Sequence, residues 1–284
     1  MPRYRAILLD LFGTLIATEP AGLPVLQIGG SPVRTTLAGL GALLDAYAPG
    51  VGPDVFWHAL AAVSEEMAGR RAREHVEEPS RERFRRALAR VGCGARACDE
   101  GGAALARAHH RALGAATVLP PDHAVLLDAL RRSYHLAVVS NFDDTASAYD
   151  ILQRHGILAR VDAVVVSESL GLRKPHPLVV ETALRLLGVS PDSALLVGDT
   201  FAEDVGAAHA AGIDAAWIDR DGRGVPPDAA PPRFVLRALP ELTAVLAADL
   251  DPRLRLGSER DASMRRSVYQ ADAVPRPAKP ARQP

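Results

Sequence analysis

The chain has 284 residues, 48% of them hydrophobic and only 5% aromatic, so it can bury a sizeable core and must build it from Ala, Leu and Val. Lys plus Arg number 33 against 34 Asp plus Glu, a balance that offers no global field to nucleic acid or to an anionic membrane. Cys93 and Cys98 have no Cys or His partners at ligand spacing, no apolar run is long enough to span a membrane, and the run at 6–9 is too short for a signal peptide, so a cytoplasmic enzyme is expected, monomeric or homodimeric.

The first element is the apolar run Ala6-Ile7-Leu8-Leu9, closed by Asp10 and the turn-forming Gly13. It reads as a buried strand with an acid at its C-terminal end. Residues 17–117 have another texture: Ala, Leu, Arg and Glu recur at helical spacing, for instance over 55–67 and 81–91, punctuated by Pro20, Pro24, Gly29-Gly30, Pro49 and Pro79. No strand alternation is evident, and a helical insert is predicted. From 118 onward helix and strand alternate. Helical patterns at 122–132, 146–155, 177–187 and 204–211 separate apolar strands at 136–139, 161–166, 194–197 and 215–218. A short strand at 234–236 and a closing helix at 239–248 complete the series. Strands that are apolar throughout, interleaved with helices, predict an α/β fold: a doubly wound parallel sheet covered on both faces. The predicted division is a core of 1–16 and 118–250, an insert of 17–117, and a basic, proline-rich, disordered tail of 251–284.

In such a sheet ligands bind beyond the C-terminal strand ends. Asp10, Ser140 and Asp199 each follow an apolar strand, so the fold should bring them together. Asp10 is the candidate nucleophile, since a carboxylate can attack phosphorus or carbon and form a covalent intermediate. Gly13 and Thr14 permit a tight turn whose N–H groups can face an anion. Ser140 offers a hydroxyl, and Asn141 amide donors, to a substrate oxyanion. Lys174 is a compact cation that can neutralise the nucleophile and developing charge, delivered by a loop that Pro175 and Pro177 stiffen. Asp199 and Asp204 are hard oxygen donors suited to Mg²⁺; Asp204 also reads as an acid opposing a helix dipole.

Taken together, Asp10-x-x-Gly13-Thr14-Leu15, Ser140-Asn141, Lys174-Pro175 and Gly198-Asp199 with Asp204 resemble the four motifs of the haloacid dehalogenase-like hydrolase superfamily. The resemblance spans roughly residues 6 to 218, with the insert where that superfamily carries its first type of cap domain. Ser140-Asn141-Phe142-Asp143 and Phe12 bring it nearest to the subgroup of dehalogenase domain-containing protein 3. The resemblance implies an Asp10 nucleophile and Mg²⁺ held by Asp10, the Phe12 backbone carbonyl and Asp199, with Asp204 as a further ligand or support. The implied activity is hydrolysis of a small phosphorylated metabolite through an aspartyl-phosphate.

Phe12 departs from that pattern. The phosphatases carry there an Asp that protonates the leaving oxygen, which a Phe side chain cannot do. An aromatic at this position also suits the 2-haloacid dehalogenases, whose halide leaves without a proton. A third reading is a binding protein that kept the pocket and lost the acid. The acids Asp199 and Asp204 weigh toward the metal-dependent phosphatase. Asp143 and Asp144 are expected to serve the loop or cap a helix, with a substitute acid as the alternative. His109 and His110 are expected on the insert's surface, with a substrate contact from the cap as the alternative, Arg70, Arg71 and Arg73 on a solvated helix face, His176 as a support of the Lys174 loop, and Arg34 as a contact for an acid substrate.

Overall fold

The computed structural model describes residues 3–28 and 30–249; the predicted tail lies outside them. In chain order the strands are β1 (Ala6–Leu9), β2 (Ala17–Thr18), β3 (Val25–Ile28), β4 (Ser31–Arg34), β5 (Thr117–Val118), β6 (His135–Ser140), β7 (Ala163–Val166), β8 (Ala194–Gly198), β9 (Asp214–Ile218) and β10 (Phe234–Leu236). The α-helices are α1 (Gly41–Tyr47), α2 (Pro53–Glu74), α3 (Ser80–Arg90), α4 (Ala95–Ala115), α5 (Pro121–Leu130), α6 (Thr145–Arg154), α7 (Ser167–Leu170), α8 (Pro177–Leu187), α9 (Gly206–Ala210) and α10 (Leu242–Asp249).

Six strands form one sheet in the order β10-β9-β8-β1-β6-β7, all neighbours parallel. This is the doubly wound arrangement predicted from the alternation of apolar strands and helices. The strands are apolar on both faces because both faces are covered. Ile7, Leu9, Leu136 and Val138 pack with α5, α6 and α10, while Ala6, Leu8, Ala137 and Val139 pack with α8 and α9. The chain order reverses between β1 and β8, and the crevice beyond their ends is where such sheets take ligands. Asp10 and Asp199 are the residues that follow those two strands.

Within 17–117 the helices surround a separate apolar cluster that includes Leu40, Leu44, Phe56, Phe84, Leu88 and Leu105. Two features depart from the sequence expectation. First, β3 and β4 form an antiparallel hairpin where only helices were predicted. Ile28 pairs with Ser31, and the sequence between them is Gly-Gly, a pair of the kind that favours two-residue hairpins. Proline in β4 and a mixed surface hid the alternation. Second, α4 runs unbroken through Gly101 and Gly102, residues that weaken a helix in isolation. Close packing explains them: a Cβ on Gly102 would lie 2.9 Å from the Arg81 carbonyl, and one on Gly101 2.8 Å from Leu88 Cδ1. The glycines let α3 and α4 approach backbone to backbone. The chain enters and leaves this region side by side, β2 pairing antiparallel with β5. Cys93 and Cys98 are free thiols, and no described helix is long and apolar enough to cross a membrane.

Candidate active site

The first loop leaves β1 at Asp10, whose N–H donates to Val197 O at 2.9 Å across to β8. The chain then folds back at once: Leu15 and Ile16 both donate to Leu11 O, and Gly13 donates to Ile16 O. Gly13 adopts φ +84°, and a Cβ there would lie 2.9 Å from Asp199 Cγ. Its N–H, proposed from sequence as an anion donor, is used inside the turn. What Gly13 contributes is room for Asp199. Thr14 is buried and donates through Oγ1 to Asp199 Oδ1 at 3.4 Å.

Lys174 is the centre of the site. Its side chain is 1% exposed, and its ammonium donates to Asp10 Oδ1 at 2.7 Å, Asp204 Oδ1 at 2.6 Å and Val139 O at 2.9 Å. Three donors meet three acceptors, which is what a buried ammonium requires. Burial alone would lower its pKa, but Asp10 and Asp204 outweigh it and raise the pKa, so the cation is permanent. Burial, with Asp204 and Asp199 adding like charge, pushes the Asp10 carboxyl upward against the pull of Lys174. Asp199 is raised too, by burial and then by Asp204, with Arg220 opposing. Asp10, Asp199 and Asp204 each offer a carboxylate oxygen, all within 4.8 Å of one another. Crowded, part-desolvated carboxylates of this kind are stabilised by a cation.

Asp204 lies in a π-helical turn, Phe201–Val205, ahead of the regular helix expected from the sequence. Its second oxygen accepts from Thr200 N–H at 2.9 Å. Ser140 Oγ, at the end of β6, is buried and has no hydrogen-bond partner among the described residues. A buried hydroxyl left unmet is costly in a closed core and fits a position that a ligand oxygen completes. Asn141 is held by the lysine segment and Glu203. Its Nδ2 donates to Lys174 O at 3.0 Å and Glu203 Oε2 at 2.8 Å, and its Oδ1 accepts from Lys174 N–H at 2.8 Å. Both amide hydrogens are engaged, so Asn141 positions the lysine segment and has no donor free for a substrate. His176 caps α8, accepting from Leu178 N–H at 3.2 Å, in line with its expected support of the loop.

Phe12 stacks on Phe142 with ring centroids 4.9 Å apart and planes 24° apart. Phe142 in turn meets His110 edge-on at 5.1 Å, and His110 meets His109 at 4.9 Å. His110 is therefore interior, 2% exposed, contrary to the sequence expectation, and His109 is half-buried. Burial, then Arg83 and His110, push the His109 pKa down to about 3. Asp143 receives a 3.0 Å bond from His110 Nε2 and lies 3.6 Å from Arg83 and 3.7 Å from Arg71. Burial would raise it, yet His110 and the two arginines hold it at about 2. An acid so held is ionised at neutral pH and cannot donate a proton. Asp144 caps α6 by accepting from Ser147 N–H, as expected. Both carboxylates are thus engaged in contacts that hold the fold.

Several contributors went unrecognised in the sequence. Arg173 pairs with Glu203 at 2.9 Å and with buried Glu77 at 3.3 Å; Glu77 also pairs with Arg71 at 3.0 Å and accepts from Ser167 Oγ. Arg71 thus turns inward from the helix face predicted to be solvated. Arg220, after β9, donates to Gly13 O and lies 3.6 Å from Asp199. It lines, with Gly13, Thr14 and His123, a cleft of about 530 Å³. Glu203 and Arg173 sit next to Asp204 and Lys174 in the chain, which was the one available signal. Arg34, expected to contact a substrate, instead donates to Ala21 O and Leu23 O.

Comparison with known proteins agrees with this architecture. The family model for haloacid dehalogenase-like hydrolase matches residues 4–212. The chain is 35% identical over 159 residues to a phosphoserine phosphatase of Thermus thermophilus, covering 54% of this chain and 60% of that protein. It is 38% identical over 101 residues to haloacid dehalogenase-like hydrolase domain-containing protein 3 of Bos taurus, covering 36% and 39%. The matches thus span about two-fifths to three-fifths of those relatives' own lengths. In fold it is similar to a 2-haloacid dehalogenase from Pseudomonas syringae pv. Tomato, with a TM-score of 0.66 at 22% identity over 86% of this chain and 99% of that one. With four loops in the expected order and the family model matched across most of its length, the chain belongs to the haloacid dehalogenase-like hydrolase family.

Proposed function

We propose that this protein is a Mg²⁺-dependent phosphatase of a small phosphorylated metabolite, acting in the cytoplasm as a monomer or homodimer through an aspartyl-phosphate on Asp10. The observation that carries the reading is the buried Lys174 ammonium held between Asp10 and Asp204, with Asp199 completing an acid cluster. One cation among three acids leaves negative charge for a divalent ion, and all-oxygen donors suit Mg²⁺. Asp10, Asp199 and the Phe12 carbonyl would hold it, with Asp204 as a further ligand or as the anchor of Lys174. When bound, Mg²⁺ supplies charge neutralisation to the phosphoryl oxygens.

The chain's own residues account for the rest. The Asp10 oxygen not bonded to Lys174 attacks phosphorus, the ester P–O bond breaks, and the leaving oxygen takes the bonding pair. Ser140 donates its unmet hydroxyl to a phosphoryl oxygen, and Lys174 keeps Asp10 aligned and offsets developing charge. Water then attacks the acyl phosphate at phosphorus, releasing phosphate and restoring the Asp10 carboxylate. With Phe12 in place of an acid and Asp143 ionised, the proton for the leaving oxygen comes from solvent. Residues 17–117 act as the cap over this site. The phosphatase named among the relatives supports the reaction class.

The test is a panel of phosphate esters assayed with and without Mg²⁺. Turnover is expected only with the metal and is expected to vanish in Asp10→Asn. Metal-independent turnover, or activity that survives Asp10→Asn, overturns the proposal. Phe12 favours one other reading, attack of Asp10 on the carbon of a 2-haloacid with loss of halide. Halide release from 2-chloropropionate without added metal would select it.

A further inference from the structure

The 17–117 region encloses a cavity of its own, about 420 Å³, among residues 35–37, α2, α3 and α4. None of its lining residues belongs to the four loops of the active site. Leu37, Trp57, Leu60 and Phe84 give it apolar walls, and its size falls within the ~300–1,000 Å³ of typical small-molecule sites. Ala61 is exposed and also lines the cavity, marking where it meets solvent.

Arg83 and Thr36 supply its free donors, while Ser64 Oγ gives its proton to Leu60 O. Arg83, with a side chain 18% exposed, reaches His109 Nε2 at 3.3 Å and Asp143 Oδ2 at 3.6 Å, both through Nη2. No described acceptor holds its Nη1. Arginine has no acceptor, so His109 Nε2 must accept and the ring proton must sit on Nδ1. Nδ1 therefore donates to Thr36 Oγ1, 2.6 Å away, and the Thr36 hydroxyl keeps its own proton to give. No acid lines the cavity. Nη2 is engaged by Asp143 and His109, which leaves Nη1 and the Thr36 hydroxyl as donors set against apolar walls.

We infer that this cavity is a second ligand site, separate from the catalytic cleft, that takes a small aromatic monocarboxylic acid. The carboxylate would meet Arg83 and Thr36, and the ring would lie against Trp57, Leu60 and Phe84. A ligand there touches His109, the far end of the ring series that runs through His110 and Phe142 to Phe12.

The experiment titrates the full-length protein with 1-naphthoate and follows tryptophan emission. A saturable change is expected, absent in Trp57→Phe, which leaves Trp217 in place. A neutral analogue, 1-naphthalenemethanol, and the variant Arg83→Leu are each expected to bind about tenfold or more weakly, the usual size of a lost charge-assisted contact. Ala61→Phe, at an exposed helical position, should block the titration while leaving the melting temperature unchanged, which covers the case in which Arg83→Leu does not fold. Excess inorganic phosphate should leave the titration unmoved. Equal binding of the alcohol, an undiminished titration in Ala61→Phe, or displacement by phosphate each overturns the inference.

Discussion

Gly198 and Asp204 exclude each other's volume: a Cβ on Gly198 would stand 2.5 Å from Asp204 Cβ and closer still to its carboxyl group. The glycine that ends β8 exists so that the acid of the following π-helical turn can fold back over the strand end. There it accepts from Lys174 Nζ at 2.6 Å and from Thr200 N–H at 2.9 Å. The predicted result of Gly198→Ala is therefore a displaced carboxylate and a buried ammonium short of one acceptor. An unmet buried donor costs ~1–3 kcal/mol, and more when charged; overpacking adds ~1–3 kcal/mol. Urea melts should show a loss of about 2 kcal/mol or more, with activity falling alongside. A melt that matches the unaltered protein would show that Asp204 does not depend on that glycine.

Asn141 holds both backbone groups of Lys174, and Glu203 holds Asn141 and Arg173 in turn. Asn141→Ala frees the lysine segment, while Glu203→Gln weakens only the outer support. Small misplacements of a positioned charge can cost ~10²-fold in rate. Asn141→Ala should lower kcat by about tenfold to a hundredfold with little change in KM, and Glu203→Gln should lower it less. A change confined to KM would mean that Asn141 contacts the substrate after all.

His109 sets an acid limit on stability. Its folded pKa, driven by burial and then by Arg83, is about 3 against an ordinary 6.5. Between those values the unfolded chain takes up a proton that the folded chain refuses. The contribution is thus complete above about pH 6.5 and is lost as pH falls toward about 3, on the order of 1 kcal/mol per pH unit. Asp143, held at about 2 by His110 and the arginines against the effect of burial, adds a further loss only below the ordinary carboxylate range. Chemical denaturation at about pH 7 and pH 5 should show this slope, and His109→Gln should flatten it. An equal slope in the two proteins would place the proton uptake elsewhere.

Three of the loops at the candidate site were legible because each follows an unbroken apolar strand, and a fully covered parallel sheet leaves little choice about where strand ends point. Asp10, Ser140 and Asp199 were singled out that way, and the structure brings Asp10 and Asp199 together with Lys174 and Asp204. The contact of Asn141 with Lys174 was not legible, because it spans 33 residues of chain and no local spacing encodes it. His109 and His110 looked like surface residues since α4 also carries Arg107 and Arg111; only the packing of α4 against α3 and Phe142 turns them inward. Gly101 and Gly102 argue against a helix locally and are explained by a neighbouring helix that local propensity does not see. The parallel sheet answered to strand hydrophobicity, and residues 17–117 answered to pairwise helix contacts.

Phe12 decides how the proposed reaction handles its leaving group. Its ring lies on Phe142 at 4.9 Å and supplies no proton, and Asp143 stays ionised. The departing oxygen of a phosphate ester must then leave with much of its charge. Aryl phosphates should react far faster than alkyl phosphates, because a phenolate needs less protonation than an alkoxide. Phe12→Asp should raise alkyl-ester turnover toward the ~10²-fold that general acid catalysis typically supplies. Removing the ring also loosens the seam with Phe142, at about 3 kcal/mol for a buried aromatic truncated to a small side chain and less for one partly exposed. Phe12→Leu separates these effects, since it breaks the same stack without adding an acid. Alkyl-ester turnover that rises in Phe12→Asp and not in Phe12→Leu, both measured well below their melting temperatures, identifies the missing proton as the limiting step. A wild-type rate indifferent to leaving-group pKa would mean that another group already delivers it.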